Sequence, residues 1–467
     1  MQHDLTKGKI TRGLVLFALP MMAGNLLQQL YNIADTLIVG RALGREALAA
    51  VGSAYALMTF LTSVFIGLSM GAGALFSMYF GKKDPEGLKR AAAHAFGLIF
   101  AVTVVINVAV YILLDSILNF LQIPPELYGA MREYAAIIFA GIPAVFLFNF
   151  LSCFLRAVGN STAPLWFLAV SAVMNVALDL LFVLRFEAGV AGAAIATVIA
   201  QYAAGIGLAV WFLLRCPQYV PQKRHFKFNK GVLRELRELS LLTCVQQSAM
   251  NFGILLVQRL VDSFGAVTMA AFAAAVKTDS FAYLPLQDFG NAFSTFAAQN
   301  YGARQRARLV EGFRKSALLA VLFSMVISVL VVAFAEPLMK IFVKAEETAV
   351  IACGARYLRI EGACYIGIGC LFLLYGFYRA VNRPGMSAVL TVISLGTRVA
   401  LAYALAGPVG EVGIWLSIPI GWLLADAVGF GWYLIKKRKL LPNEMSGAGV
   451  CVENGKTAAT HTSGREN

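Results

Sequence analysis

Apolar stretches of about 20 residues recur along almost the whole chain, and each is long enough to cross a hydrocarbon layer at a rise of 1.5 Å per residue. They centre on residues 14–38, 50–78, 92–114, 134–155, 163–184, 190–214, 240–261, 267–298, 316–335, 357–378, 386–406 and 413–435, separated by short charged or Pro/Gly-bearing connections. With 59% hydrophobic and only 14% charged residues, the chain cannot cover itself with a solvated surface. Lipid offers no partner to an exposed backbone amide, so each stretch must satisfy its own hydrogen bonds as a helix. The expected fold class is an all-α integral membrane protein with about twelve transmembrane helices. The second and eighth stretches are long enough to suggest tilt or a bend. Residues 1–12 are polar and the first apolar run lacks a small-residue cleavage site, so the first helix is expected to be retained.

A net charge of +14 would suggest nucleic acid in a soluble protein, but its distribution argues for membrane orientation and no nucleic-acid partner. Lys7, Lys9 and Arg12 precede the first stretch; Lys82, Lys83, Lys89 and Arg90 follow the second; Arg215 to Arg237 fill the central connection; Arg304 to Lys315 follow the eighth; Lys436 to Lys439 follow the last. All fall on one side of a twelve-span topology. The positive-inside rule then puts both termini in the cytoplasm of a multi-pass protein of the bacterial inner membrane. Seven cysteines show no paired spacing, and the four histidines, His3, His94, His225 and His461, form no metal or nucleophile constellation, so neither metal, cofactor nor enzyme chemistry is expected.

The halves repeat. A shift of about 222 residues lays YFGKKDPEGLKR (79–90) over NYGARQRARLVE (300–311), and RAVGNSTAPLWF from residue 156 over RAVNRPGMSAVL from residue 379. Six helices per repeat is an even number, so the halves are parallel repeats about an axis along the membrane normal. The expected organisation is a cytoplasmic N-terminus (1–12), a first lobe (13–214), an inter-lobe loop (215–239), a second lobe (240–436) and a disordered cytoplasmic tail (437–467). Two pseudo-symmetric six-helix bundles enclose a midplane cleft that alternating access can use.

A carboxylate at the centre of a membrane helix costs roughly 2.5–3.5 kcal/mol on insertion scales. Asp35 and Asp179 therefore need an explanation. Asn25, Gln28, Asn32 and Asp35 fall within roughly 80° of arc at about 100° per residue, a polar stripe on an otherwise apolar helix. Ser171, Asn175 and Asp179 are four apart and stack on one face of the fifth helix. Facing one another, the stripes make a proton or sodium site in which two carboxylates share a poorly solvated pocket. The alternative is a hydrogen-bonded pair that locks the first helix to the fifth. Pro20 removes an intrahelical bond before Asp35 and places a kink there, either mobile or static. In the second half, Gln247, Asn251, Gln258 and Asp262 form a parallel stripe. Asn175 aligns with Arg398 and Asp179 with Ala402, so only the first lobe keeps acids at those positions. Lys277, Asp279 and Asp288 interrupt the eighth stretch around Pro285, lining the cavity or, for Lys277 and Asp279, neutralising each other. The cleft candidates are Gln28, Gln247, Asn251, Lys277, Asp279 and Arg398, beside aromatic residues suited to flat organic cations.

These features together resemble the multidrug and toxic compound extrusion (MATE) family, in particular its MepA-like bacterial subgroup. The carriers are LFALPMMAGNLLQQLYNIADTLIVG (16–40), the YFG and NYG signatures, and the paired RAVGN and RAVNR motifs. The resemblance implies a V-shaped pair of bundles, export of cationic amphiphiles such as dyes and drugs, and coupling to inward H⁺ or Na⁺ flow, by a monomer. Archaeal and related members are similar in placing an aspartate fifteen residues after a proline in helix one and an Asn and Asp four apart in helix five, here Pro20, Asp35, Asn175 and Asp179. Vibrio-type sodium-coupled members place acids in helices seven and ten. This sequence has Gln246 and Gln247 in helix seven, and Glu361 near the outer end of an apolar helix ten, so ion coupling is expected from the first lobe alone. A lipid-linked saccharide flippase of the same superfamily and a non-transporting membrane scaffold are the alternatives.

Overall fold

The structure, a computed structural model, describes residues 4–120 and 125–441. Fifteen α-helices follow in order: α1 (Ile10–Ala42), α2 (Gly44–Gly81), α3 (Pro85–Phe120), α4 (Pro125–Phe139), α5 (Ile142–Ala157), α6 (Thr162–Asp179), α7 (Gly189–Arg215), α8 (Lys230–Asp262), α9 (Ala266–Gly302), α10 (Arg306–Ala333), α11 (Ala335–Met339), α12 (Thr348–Gly362), α13 (Tyr365–Ala380), α14 (Pro384–Val409) and α15 (Glu411–Leu440). Among the described residues nine helices are long and apolar enough to span a bilayer alone, and two bent pairs raise that to eleven. The remaining predicted span is α9, a 37-residue helix that crosses Pro285 and carries Lys277, Asp279 and Asp288. Side chains facing outward are apolar, as lipid demands: Ile112, Leu434 and Ile435 are each more than two-thirds exposed.

The breaks fall elsewhere than expected. The second and eighth predicted spans run unbroken as α2 and α9, whereas the fourth bends by 43° between α4 and α5 and the tenth by 53° between α12 and α13. Pro20 lies within an uninterrupted α1, and the first turn of the second lobe starts early, because Lys230–Leu239, assigned to the linker, is already α8. Asn229 caps that helix by accepting from Val232 N. Residues 437–440 of the expected disordered tail complete α15; the rest of the tail lies outside the described residues.

The repeat is visible atom by atom in the backbone. α4 and α5 recur as α12 and α13 with both boundaries displaced by 223 residues (142 to 365 and 157 to 380). The sequence signatures are helix C-terminal turns. Lys83 and Arg304 each take φ near +56°, and Asp84 N and Gln305 N each reach back to the carbonyl five residues earlier, Tyr79 and Asn300. Gly159 (φ +86°) and Asn382 (φ +57°) do the same after α5 and α13, with Asn160 N bonded to Leu155 O and Arg383 N to Tyr378 O. This left-handed closure satisfies carbonyls that a helix end would otherwise orphan.

Within the first repeat α2 packs on α5, α5 on α7, and α6 on α1 and α7; within the second, α9 packs on α12 and α13, and α14 on α15. The lobes meet where α2 lies along α8 and α9, and α1 along α9. Small residues permit that approach: a Cβ on Gly67 or Gly71 would stand 2.5 Å from Cys244 Cα or from Leu239 O. Beyond them a Cβ on Gly81 would overlap the Gln299 carbonyl, and one on Gly302 the Met78 carbonyl. The lobes are thus closed at the end carrying the basic connections. The segment Asp4–Gly8 is folded under that closure, with Leu5 buried, Leu5 N donating to Gln299 Oε1 at 3.1 Å, and Arg308 donating to the carbonyls of Leu5, Lys7 and Gly8.

The inter-lobe connection is pinned at the same end. Gln222 N donates to His225 Nδ1, so the ring proton sits on Nε2 and faces Glu86 Oε2 at 3.0 Å, while Arg224 reaches Glu86 Oε1 at 3.1 Å. His225 is buried although it lies in a single 3-10 turn (Lys223–Phe226) of the connection.

Candidate functional site

Between the lobes lies a cavity of about 620 Å³ walled by side chains from α1, α2, α8 and α9 and from both bent pairs. Its polar residues form three groups, one in each lobe and one where the lobes meet.

In the first lobe, the stripe on α1 turns Gln28, Asn32 and Asp35 into the cavity. Asp179, fully buried, meets Asp35 from the end of α6, where the helix widens into a π turn (Leu180–Arg185). Among the described residues Asp35 Oδ1 and both Asp179 oxygens have no hydrogen-bond donor. Asn175, one turn earlier, donates to Thr197 Oγ1 at 3.3 Å, and its own Oδ1 is unsatisfied. Ser171 donates to the Ala200 carbonyl, and Tyr134 stands beside both acids. Asn32 bonds to Gln29 rather than to either acid. The pocket therefore holds acceptors without donors, the arrangement in which a shared proton or a small cation resolves the repulsion.

In the second lobe, Asp279 accepts a hydrogen bond from the Tyr365 hydroxyl, and Glu361, held by Tyr357, shares Arg398 with it as cationic neighbour. Among the described residues Glu361 Oε2 and Arg398 Nε find no partner. Tyr357 is the repeat counterpart of Tyr134, so each lobe sets a tyrosine against its acids. Glu361, expected near the outer end of an apolar helix ten and left out of the site, is 3% exposed and lines the cavity at the end of α12, where the chain bends into α13. Lys277 is also corrected. It is exposed and away from the cavity, while Asp279, two residues on and about 200° round the helix, faces in, so the two do not neutralise each other.

Where the lobes meet, Asn25 of α1 donates to both oxygens of Asp288 on α9 at 2.7 Å. Gln247 and Asn251 of α8 line the wall beside them, joined by a bond from Asn251 Nδ2 to Gln247 O. Two arginines also line this region: Arg156 at the end of α5, and Arg379 at the end of α13, which donates to Ser294 Oγ and Asn291 Oδ1. Sequence reasoning passed over both, because the apolar windows stop at residues 155 and 378, one residue short of each guanidinium. Their recurrence in the duplicated RAV motif was the available signal. Apolar lining comes from Phe148, Tyr283, Phe372, Tyr375 and Trp422, faces that suit a flat organic cation. Among the described residues no three His, Cys, Asp or Glu side chains group as metal ligands.

Known proteins share this architecture. A probable multidrug resistance protein of Bacillus subtilis, YpnP, is 28% identical over 92% of this chain and 96% of its own length. The multidrug export protein MepA of Staphylococcus aureus strain N315 is 21% identical over 92% of this chain and 95% of its own. A solved structure described as the outward-facing conformation of a multidrug resistance MATE family transporter superposes with a TM-score of 0.89 at 23% identity, covering 95% of this chain and 99% of that one. The MatE family model matches twice, at residues 20–181 and 243–404, a displacement of 223 residues that equals the structural repeat. Matched in both lobes around one shared cavity, this multi-pass membrane protein belongs to the MatE family of multidrug transporters.

Proposed function

We propose that this protein exports cationic amphiphiles in exchange for inward H⁺ or Na⁺, by alternating access of its two lobes, in the bacterial cytoplasmic membrane with both termini inside. The observation that carries the reading is the facing pair Asp35 and Asp179, three of whose oxygens lack a donor among the described residues, with Asp35 in the wall of a cavity shared by both lobes. Acids without donors are poised for a monovalent cation, and only one of the pair opens on the cavity, which lets ion binding alter the field a cationic substrate meets. With the basic end inside, the closed gate at Gly81 and Gly302 makes this the state that receives ions from outside and releases substrate there. Ion loading relieves the carboxylate repulsion, α1 shifts against α6, and the cavity then opens inward, gives up the ion and takes a new substrate.

The driving force is sufficient. Exchange of one H⁺ for a monovalent cation is electroneutral, so each pH unit, about 1.4 kcal/mol, sustains about a tenfold gradient, and a second inward charge adds about 2.3 kcal/mol at 100 mV. The site needs no cofactor; the ion is cargo. The experiment is ethidium transport in proteoliposomes under separately imposed pH and sodium gradients, with Asp35→Asn and Asp179→Asn beside the wild type. Gradient-driven transport that both substitutions abolish supports the antiporter and names its ion. Transport unaffected by either substitution overturns the assignment of the pair.

A further inference from the structure

The closed end of the cavity is lined by cations. Arg156 ends α5 and Arg379 ends α13 at equivalent positions, displaced by the 223 residues of the repeat, and Cys153 lies in the field of both guanidinium groups. Arg379 is 4% exposed, and its Nε and Nη2 donate to neutral oxygens, those of Ser294 and Asn291. Among the described residues the Arg156 side chain makes no hydrogen bond, its Nε is buried without a partner, and neither guanidinium pairs with a carboxylate within 4 Å. Among the described residues the carboxylate in the field of Arg156 is Asp288, whose two oxygens also accept from Asn25. A buried cation without a counter-charge is among the most expensive groups a protein can hold at membrane depth. Arg379 is buried and Arg156 half-buried, and Asp288 sets one negative charge against their two, so this end of the cavity is one anion short.

The remaining acids lie toward the other end. Asp35 sits in the last turns of α1 and Asp279 in the early turns of α9, each far along its helix from the closure at Gln299. Arg398 lies among those distal acids, beside Asp279 and Glu361, so the positive charge in excess sits at the closed end, on Arg156 and Arg379.

We propose that Arg156 and Arg379 form an anion subsite, and that the transporter takes amphiphiles carrying a carboxylate or phosphate ester beside their cationic group. The inference rests on reading the cavity as the substrate site. A forked guanidinium binds a carboxylate or phosphate through two parallel charge-assisted hydrogen bonds, and two such forks on opposite lobes let one anion bridge them. The bridge also couples the substrate to the gate, because Cys153, one turn before Arg156, packs against Gly73 of α2, and α2 is the helix that closes on α8 and α9.

The test uses rhodamine B and its ethyl ester, which share one xanthylium cation and differ by a free carboxylate. Fluorescence anisotropy on the full chain in phosphatidylcholine nanodiscs gives both dissociation constants. The wild type is expected to bind the free acid about tenfold more tightly, the value of one good charged hydrogen bond. Arg156→Gln with Arg379→Gln brings the ratio to about one and leaves the ester unchanged. Arg156→Lys with Arg379→Lys, which keeps the charges without the forks, gives an intermediate ratio and serves if the glutamine pair does not fold. Equal binding of the two probes by the wild type overturns the subsite. So does a preference that survives the glutamine pair, or a parallel loss of both affinities, the mark of arginines that only cap their helices. Phosphatidylglycerol in the discs distinguishes the anion's source: a competing lipid headgroup weakens the acid alone, and a solute-specific site is unaffected. Ethidium transport in the same variants keeps the two readings separate. A preference for the acid without any dye transport sinks the export reading and spares the subsite; dye transport without the preference does the reverse.

Discussion

Asn25 on α1 donates from its amide Nδ2 to the two oxygens of Asp288 on α9, each at 2.7 Å, and so bonds one lobe to the other inside the cavity. Their partnership spans 263 residues of chain. Asn25→Ala leaves a buried carboxylate without a donor, a loss of about 1.5–3 kcal/mol for a hydrogen bond to a charged group. The expected outcome is a lower melting temperature in detergent, and the reciprocal exchange, Asn25→Asp with Asp288→Asn, should recover most of it. No change on Asn25→Ala would mean that the bond does not hold the lobes.

Closure at the basic end depends on the absence of side chains at Gly81 and Gly302. Alanine at either site places a methyl on a facing carbonyl, and overpacking of that kind costs about 1–3 kcal/mol. The closed state should lose roughly five- to a hundredfold in population. Distances between spin labels on the basic ends of α2 and α9 should lengthen in both variants, and the rate of dye export should fall.

Arg308 holds the N-terminal segment by donating to three of its carbonyls, Leu5, Lys7 and Gly8. Arg308→Gln should free that segment. Hydrogen exchange at Leu5 and Thr6 should then rise by at least about tenfold, the effect of losing some 1.5 kcal/mol of local stability, with the rest of α10 unchanged.

Glu361 and Asp35 test which lobe carries the coupling. If the first lobe alone does, Glu361→Gln keeps the gradient dependence of dye transport and changes only its apparent affinity. Asp35→Asn removes the gradient dependence. Loss of coupling in both variants would show that the acids of the two lobes act together.

Outside the membrane, Glu86 answers to pH. The bond from His225 holds its carboxyl below the ordinary value of 4.5, and the charges of Arg224 and Lys89 act in the same direction. A carboxyl lowered by folding stabilises the folded linker above its unfolded value and loses that contribution as pH falls through the lowered one. A spin label at Gln218 should therefore gain mobility only below about pH 4.5, and Glu86→Gln should abolish that transition, leaving the label equally mobile at neutral pH.

Much of this molecule was written in local periodicity. Spans of about 20 apolar residues can only be helices in lipid, and duplicated motifs at a fixed displacement can only be a repeat. The polar stripe from Asn25 to Asp35 faces inward because lipid cannot solvate it. Such inferences need one element at a time. What required the tertiary structure were the relations between elements. Arg156 and Arg379 looked like ordinary flanking charges until α5 and α13 were seen to end beside the closed gate. Glu361 belonged to an apolar helix until the 53° bend turned it onto Asp279 and Arg398. Lys277 and Asp279, neighbours in sequence, were separated by the helix itself. Hydropathy reports the energy of a segment in lipid, which the sequence determines; which charges share a dry cavity depends on how the segments pack, and only the packed lobes decide that.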